Sequence, residues 1–262
     1  MNDHFPFGIA RLVTGRPFTE NTTGMSGDRV LMFPDAVLKI GGNPTKNAAT
    51  AQITRWLEGR LPTPRVLAYQ QDNSHDYLLM SRVPGVMACD PGYLSRPDAL
   101  LPLLAEALDM LYRVDIASCP REIKLEAELR EAARRLEAGE VDTVRTEKGT
   151  FGPGGFESPE RLLHWLNDNQ PPLESCFSHG DCCLPNIFLE GSRVAGFIDL
   201  GDAGVADRWR DLALCYRSLM HNADGTYGKV YSGIKPEKLF DYLGITPDWD
   251  KLRYYILLDE FF

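Results

Sequence analysis

Between residues 7 and 83, short apolar runs alternate with Gly, Pro and Asp-Asn breaks: Val30-Leu31-Met32-Phe33, Ala36-Val37-Leu38-Lys39-Ile40, Arg65-Val66-Leu67-Ala68-Tyr69 and Tyr77-Leu78-Leu79-Met80. Runs of this length, bounded by turn formers, predict strands. One stretch breaks the texture. Over residues 46–58, Ala49, Ile53, Trp56 and Leu57 recur at a helical period that ends before Gly59 and Pro62, so one helix is expected on a small sheet.

After Pro84-Gly85 the period changes from two to nearly four. Apolar stripes with charged opposite faces run over residues 98–114 (Leu100, Leu101, Leu104, Leu108, Leu111), 121–138 and 159–167 (Leu162, Leu163, Leu166), which predicts amphipathic helices. Two short strands, around Asn186-Ile187-Phe188-Leu189 and Val194-Ala195-Gly196-Phe197-Ile198, flank the hairpin-like turn Glu190-Gly191-Ser192, and helices resume from Asp207 to the end. This is the pattern of an α+β protein with two lobes, a small sheet-rich one over residues 1–83 and a larger helical one over residues 84–262. The 262 residues suffice for two lobes that share a cleft.

Composition narrows the partners. A net charge of −9 and the absence of any Lys/Arg-rich run argue against nucleic acid or an anionic membrane surface and favour a cationic partner. Met1-Asn2-Asp3-His4-Phe5-Pro6 lacks the basic start and apolar core of a signal peptide, and no run approaches the roughly 18 apolar residues of a membrane span. A cytoplasmic protein is expected. The six cysteines (Cys89, Cys119, Cys176, Cys182, Cys183, Cys215) form no C-x-x-C pair and read as free, buried thiols.

The candidate chemistry lies in Phe177-Ser178-His179-Gly180-Asp181-Cys182-Cys183-Leu184-Pro185-Asn186 and in Gly196-Phe197-Ile198-Asp199-Leu200-Gly201. Phosphoryl transfer needs a carboxylate that orients a hydroxyl nucleophile and oxygen ligands that hold Mg²⁺ against phosphate oxygens. Asp181 is the candidate for the first, Asn186 and Asp199 for the second, and the loop and hairpin between them would return both ligands to one point. Thr23-Gly24-Met25-Ser26-Gly27 precedes a strand, and its backbone N–H groups and the Ser26 hydroxyl are candidates to cover a triphosphate. Lys39 ends an apolar strand, and the segment Ser81-Arg82-Val83 is a candidate linker whose backbone would take an adenine edge. His179, Asp207 and Asp211 are expected to brace the catalytic loop rather than react.

The order H-G-D-x-x-x-x-N followed by I-D-x-G resembles the catalytic and metal loops of the protein-kinase-like phosphotransferases. A closer resemblance, to the aminoglycoside 3′-phosphotransferases, runs through Gly24-Met25-Ser26, Trp56-Leu57-Glu58-Gly59, Leu79-Met80-Ser81, residues 177–188 and Ala206-Asp207-Arg208-Trp209 to the ending Leu257-Leu258-Asp259-Glu260-Phe261-Phe262. The resemblance implies a kinase-like fold, ATP and Mg²⁺ as cofactors, and phosphorylation of the 3′-hydroxyl of a cationic aminoglycoside, conferring antibiotic resistance. It implies Met25, Ser26, Lys39, Ser81 and Val83 at the nucleotide, Asn186 and Asp199 at the metal, and Asp259, Glu260 and the Phe262 carboxylate at the substrate amino groups. A monomer or a weak dimer is expected. A kinase for another small hydroxyl substrate, and a nucleotide-binding module with little catalysis, are the alternatives.

The chain departs from the family pattern at three places. The family's helix Glu, which pairs with the phosphate-contacting Lys, falls on Thr50, and Ala48, Ala49, Ala51 and Gln52 offer no acid. Lys39 is then expected to be poorly oriented, with weaker ATP binding or slower turnover, unless another carboxylate reaches it. Asp202 stands where Arg is common, and His221 and Asn222 stand near an expected acid.

Overall fold

The computed structural model describes residues 5–21, 28–42 and 44–262. The first sheet has five antiparallel strands, β1 (Thr19–Asn21), β2 (Arg29–Met32), β3 (Ala36–Gly41), β4 (Val66–Gln71) and β5 (Asp76–Ser81), in the order β1-β2-β3-β5-β4. Alternation sorts the two faces of β3. Leu38 points with Leu31, Phe33, Tyr77 and Leu79 into a cluster closed by Ile9 and Val13. Val37, Lys39 and Gly41 belong to the opposite face, where Leu78 and Met80 of β5 pack against Ala51.

Ala51 comes from helix α2 (Pro44–Trp56), the helix expected over residues 46–58. Ile9 and Val13 come from helix α1 (Phe7–Val13), where only strands were expected. Its apolar signal is a single i,i+4 pair, and Pro6 supplies no side-chain cap, so the segment has little helical preference of its own. The sheet face it covers makes it a helix, and Gln70 on β4 accepts the Ile9 N–H at 2.9 Å.

β5 ends at Ser81, and the next strand, β6 (Val86–Met87), belongs to a different sheet. There it pairs with β8 (Ile187–Glu190), which pairs with β9 (Arg193–Phe197) across the expected hairpin. A third sheet is a two-stranded antiparallel pair, β7 (Ser175–Ser178) with β10 (Gly204–Asp207). Its strands are short and partly polar, so no sequence periodicity marks them.

The remainder is helical: α3 (Pro91–Leu94), α4 (Pro97–Tyr112), α5 (Leu125–Glu137), α6 (Pro159–Asp168), α7 (Arg208–Asp224), α8 (Lys238–Leu243) and α9 (Trp249–Asp259). α5 begins four residues later than the stripe suggests, because residues 121–123 are drawn alongside β10, with Ile123 N–H donating to Val205 O at 2.8 Å and Val205 N–H to Arg121 O at 2.9 Å. Asp207 caps α7 by accepting the Trp209 N–H, and Gly225 ends it at φ +86°, a left-handed turn suited to glycine. Leu104, Leu108, Leu162, Leu166, Phe177, Phe197, Leu212 and Tyr254 all enter one large core. The two lobes meet through Trp56, whose ring lies 5.6 Å from Phe177, and through Phe197 N–H donating to Pro62 O at 2.9 Å. All six thiols are free, Cys176, Cys182 and Cys215 buried and the others half-buried.

Candidate active site

β7 ends at the fully buried Ser178, and the chain must then turn sharply to present Asp181. Gly180 makes the turn at φ +86°, and a Cβ there would lie 2.1 Å from Asp202 O, so both backbone geometry and space require glycine. Below the turn sits Asp211 of α7, with no solvent exposure. Its carboxylate accepts hydrogen bonds from His179 N–H (2.7 Å), Gly180 N–H (3.0 Å) and the Ser178 hydroxyl (3.1 Å). Burial pushes its pKa up, and His179 and these N–H groups hold it back.

His179 is equally buried. Asp181 N–H donates to its Nδ1 at 3.3 Å, and its Nε2 lies 2.8 Å from Ile198 O. In this arrangement Nδ1 accepts and Nε2 donates. The ring ties the loop to the end of β9 and is not free to act as a base, as expected. Asp207, in contrast, serves the cap of α7 and accepts Glu174 N–H at 3.3 Å; it braces the entry to β7, not the loop itself.

Asp181 and Asn186 come together across a single 3-10 turn, Leu184–Asn186. Asn186 Nδ2 donates to Asp181 O at 2.9 Å and to Asp181 Oδ2 at 2.8 Å. That choice orients Asn186 Oδ1 away from Asp181 and leaves Asp181 Oδ1 as an acceptor. Ile198 N–H donates to Asn186 O at 3.0 Å, which brings Asp199 alongside.

Asp199 is the one non-glycine residue with positive φ among the described residues, at φ 60° and ψ 58°. Asp tolerates this region better than most side chains, though such strain costs about 1 kcal/mol or more. The turn aims its carboxylate at the first sheet, where Lys39 Nζ meets Oδ1 at 2.8 Å. Burial pushes the Asp199 pKa up, but the Lys39 charge and hydrogen bond, with His179 and Lys46, overcome this and hold it below the ordinary value. Thr50 does not reach Lys39: it is buried, and its hydroxyl donates to Lys46 O at 2.9 Å. Another carboxylate does orient the lysine, and it is Asp199.

Of the remaining nucleotide-side candidates, Met25 and Ser26 lie outside the described residues. Ser81 is committed to the sheet, its N–H donating to Arg65 O at 2.9 Å and its hydroxyl accepting Arg65 N–H at 2.8 Å. Val83 is seated on β9 beside Gly196, and among the described residues its backbone N–H has no protein acceptor.

The C-terminal acids form a second charged group. Arg217 Nη2 meets Asp259 Oδ2 at 2.5 Å, and its Nε lies 3.7 Å from Glu147 Oε1. Glu260 Oε1 accepts Glu147 N–H and the Thr150 hydroxyl, each at 2.8 Å, and burial raises its pKa. Phe262 lies apart from these two, with Arg135 Nη2 donating to its O at 3.2 Å. Glu147, Thr150, Arg217 and Tyr227 were not among the expected site residues. Glu147 receives His221 Nε2 at 2.9 Å, and the His221 ring meets Tyr227 edge-on at 5.0 Å. Tyr227, its pKa raised mainly by burial, senses the charges of both Glu147 and Asp181. The departure at His221 was the one sequence signal for this group, since Glu147 lies in an aperiodic loop.

Comparison with known proteins identifies the family. Residues 19–255 match the phosphotransferase enzyme family. An aminoglycoside 3′-phosphotransferase from Staphylococcus aureus is 37% identical over 97% of this chain and 97% of its own. The crystal structure of an aminoglycoside 3′-phosphotransferase of type VIII superposes with a TM-score of 0.77 and 30% identity, covering 97% of this chain and 98% of that one. An aminoglycoside phosphotransferase from Streptomyces rimosus, solved with ADP and streptomycin, shares the fold at a TM-score of 0.80 and 24% identity, covering 97% of this chain and 96% of that one.

Proposed function

The chain belongs to the phosphotransferase enzyme family, and on that premise we propose that it is an aminoglycoside 3′-phosphotransferase, transferring the γ-phosphoryl group of ATP to a ring hydroxyl and conferring antibiotic resistance. The observation that carries this reading is the meeting of Asp181 with Asn186, and of Lys39 with Asp199, at one cleft.

Asp181 Oδ1 accepts the proton of the substrate hydroxyl and aims its oxygen, while Asn186 holds Oδ2 and fixes the carboxylate. The donor set suits Mg²⁺, a hard cation that keeps several waters and takes one or two carboxylates plus phosphate oxygens. Asn186 Oδ1 and the second oxygen of Asp199 would be the side-chain oxygens to hold it, and among the described residues no cluster of three or more His, Cys, Asp or Glu stands ready to enclose a metal. When bound, Mg²⁺ supplies charge neutralisation to the phosphoryl oxygens. Lys39, released from Asp199, turns to the phosphates, and the free Val83 N–H takes the adenine edge. Met25 and Ser26 complete the phosphate cover in this reading.

Residues 1–83 form the nucleotide lobe and residues 84–262 the catalytic and substrate lobe. Support comes from the change of sheet between Ser81 and Val86. Asp259, Glu260 and Glu147 supply negative charge for the substrate ammonium groups in this reading, while Phe262 O, engaged by Arg135, stands apart from them. Among the described residues no helix is long and apolar enough to cross a membrane. The need for ATP is what places the reaction in the cytoplasm in this reading.

Kanamycin incubated with the protein, ATP and Mg²⁺ is expected to gain one phosphate by mass spectrometry. Asp181→Ala should lower turnover by about 10²–10⁴ while leaving ATP affinity nearly unchanged. An unmodified antibiotic, or equal turnover by the variant, would refute the reading.

A further inference from the structure

Where the family pattern places an acid opposite Lys39, this protein has Thr50, and one turn before it on α2 stands a second lysine, Lys46. The Thr50 hydroxyl donates to Lys46 O, so the two residues lie one turn apart on the same face of α2. That face looks onto the turn after Asp199: a Cβ built on Gly201 would meet Thr50 Oγ1 at 3.4 Å and Lys46 Cε at 3.6 Å. The Lys46 ammonium, one bond further, is therefore at the rim of the Asp199 loop. It is exposed, and among the described residues it forms no ion pair. Its charge nevertheless acts on Asp199 on one flank and on Asp28 on the other. Asp28 and Asp76 face each other over Gly41, with Asp76 Oδ1 taken by Asn47 Nδ2 at 2.7 Å. Lys39, Asp199 and His179 complete the charged and titratable groups around this space.

We propose that Lys46 is a second phosphate-binding residue, joining Lys39 on the non-transferred phosphate oxygens of ATP, and that Thr50 is the residue that permits it. The inference rests on the ATP-dependent reading above. A carboxylate at position 50 would stand four residues after Lys46 and capture its ammonium in an i,i+4 pair. With Thr there, the lysine stays free to meet an anion. The lost pair is thus replaced by added positive charge at the phosphates.

The test is nucleotide affinity, measured by displacement of a fluorescent ATP analogue with Mg²⁺ and no aminoglycoside. Lys46→Met is expected to weaken ATP binding about tenfold, as for one lost charge-assisted contact. Lys46→Arg should restore most of it, and adenosine affinity should not move in either variant. ATP affinity within about twofold for Lys46→Met, or an equal loss for adenosine, would overturn the assignment. Thr50→Glu sharpens the test: it should weaken ATP binding alone but improve it when combined with Lys46→Met, where no lysine remains to capture. The same sign in both backgrounds would sink the coupling. If the unmodified protein binds no ATP, the functional reading fails rather than the role of this lysine.

Discussion

Asp211 never meets solvent, yet both of its oxygens face N–H donors of the catalytic loop. Asp211→Asn must therefore set an amide N–H against a backbone N–H on one side. Leaving such a buried group unsatisfied costs about 1–3 kcal/mol, and thermal denaturation should report a melting point lower by several degrees, with turnover reduced because Asp181 loses its support. Lys39 lends itself to a pH test. Asp199 is held below its ordinary pKa, so the stability that the pair contributes is present above the ordinary carboxylate value and is lost as pH falls through the lower, folded value. The Asp199 side chain is 46% exposed, and solvent limits such a pair to at most about 1 kcal/mol. Lys39→Met should accordingly melt slightly below the unmodified protein at pH 7 and converge with it in acid. A constant difference across that range would argue against the pair.

At the scale of elements, the end of α9 controls the loop that precedes α6. Glu260 holds Glu147 N–H and Thr150 through one oxygen, and Glu147 is in turn engaged by His221 and Arg217 of α7. Glu260→Gln keeps the accepting oxygen and removes the charge, whereas Glu260→Ala removes both. Steady-state kinetics should show a raised aminoglycoside KM for both variants, larger for Glu260→Ala, and an unchanged ATP KM. Values near the unmodified protein for Glu260→Gln would mean that Glu260 only braces the loop and that its charge does not act on substrate. The same interplay explains how the departure at His221 is accommodated. The negative charge missing from that position on α7 is present nearby as Glu147, carried by a loop.

Over the whole molecule, the net charge of −9 favours encounter with a polycation and opposes encounter with a nucleotide. Raising ionic strength from about 0.05 to 0.5 M shortens the Debye length severalfold, and the aminoglycoside KM should rise more than the ATP KM. A parallel change in both would show that long-range charge does not steer the substrate.

The division between sequence and tertiary structure follows from the range of the forces involved. Helices such as α4 and α6 announce themselves through local periodicity, and Gly180, Asp181, Asn186 and Asp199 through fixed spacing, because a short loop and hairpin can return those groups to one place in few ways. α1 and the β7–β10 pair were not legible, since each owes its conformation to a surface supplied by distant chain. The same holds for the site's charges. That position 50 lacks an acid is written in the sequence; that Asp199 reaches Lys39 across 160 residues, that Lys46 lies against Gly201, and that Glu147 answers His221 depend on how the lobes and loops pack. Spacing along a chain specifies partners only as far as the backbone between them is short or stiff, and beyond that the packing of the core selects which charges meet.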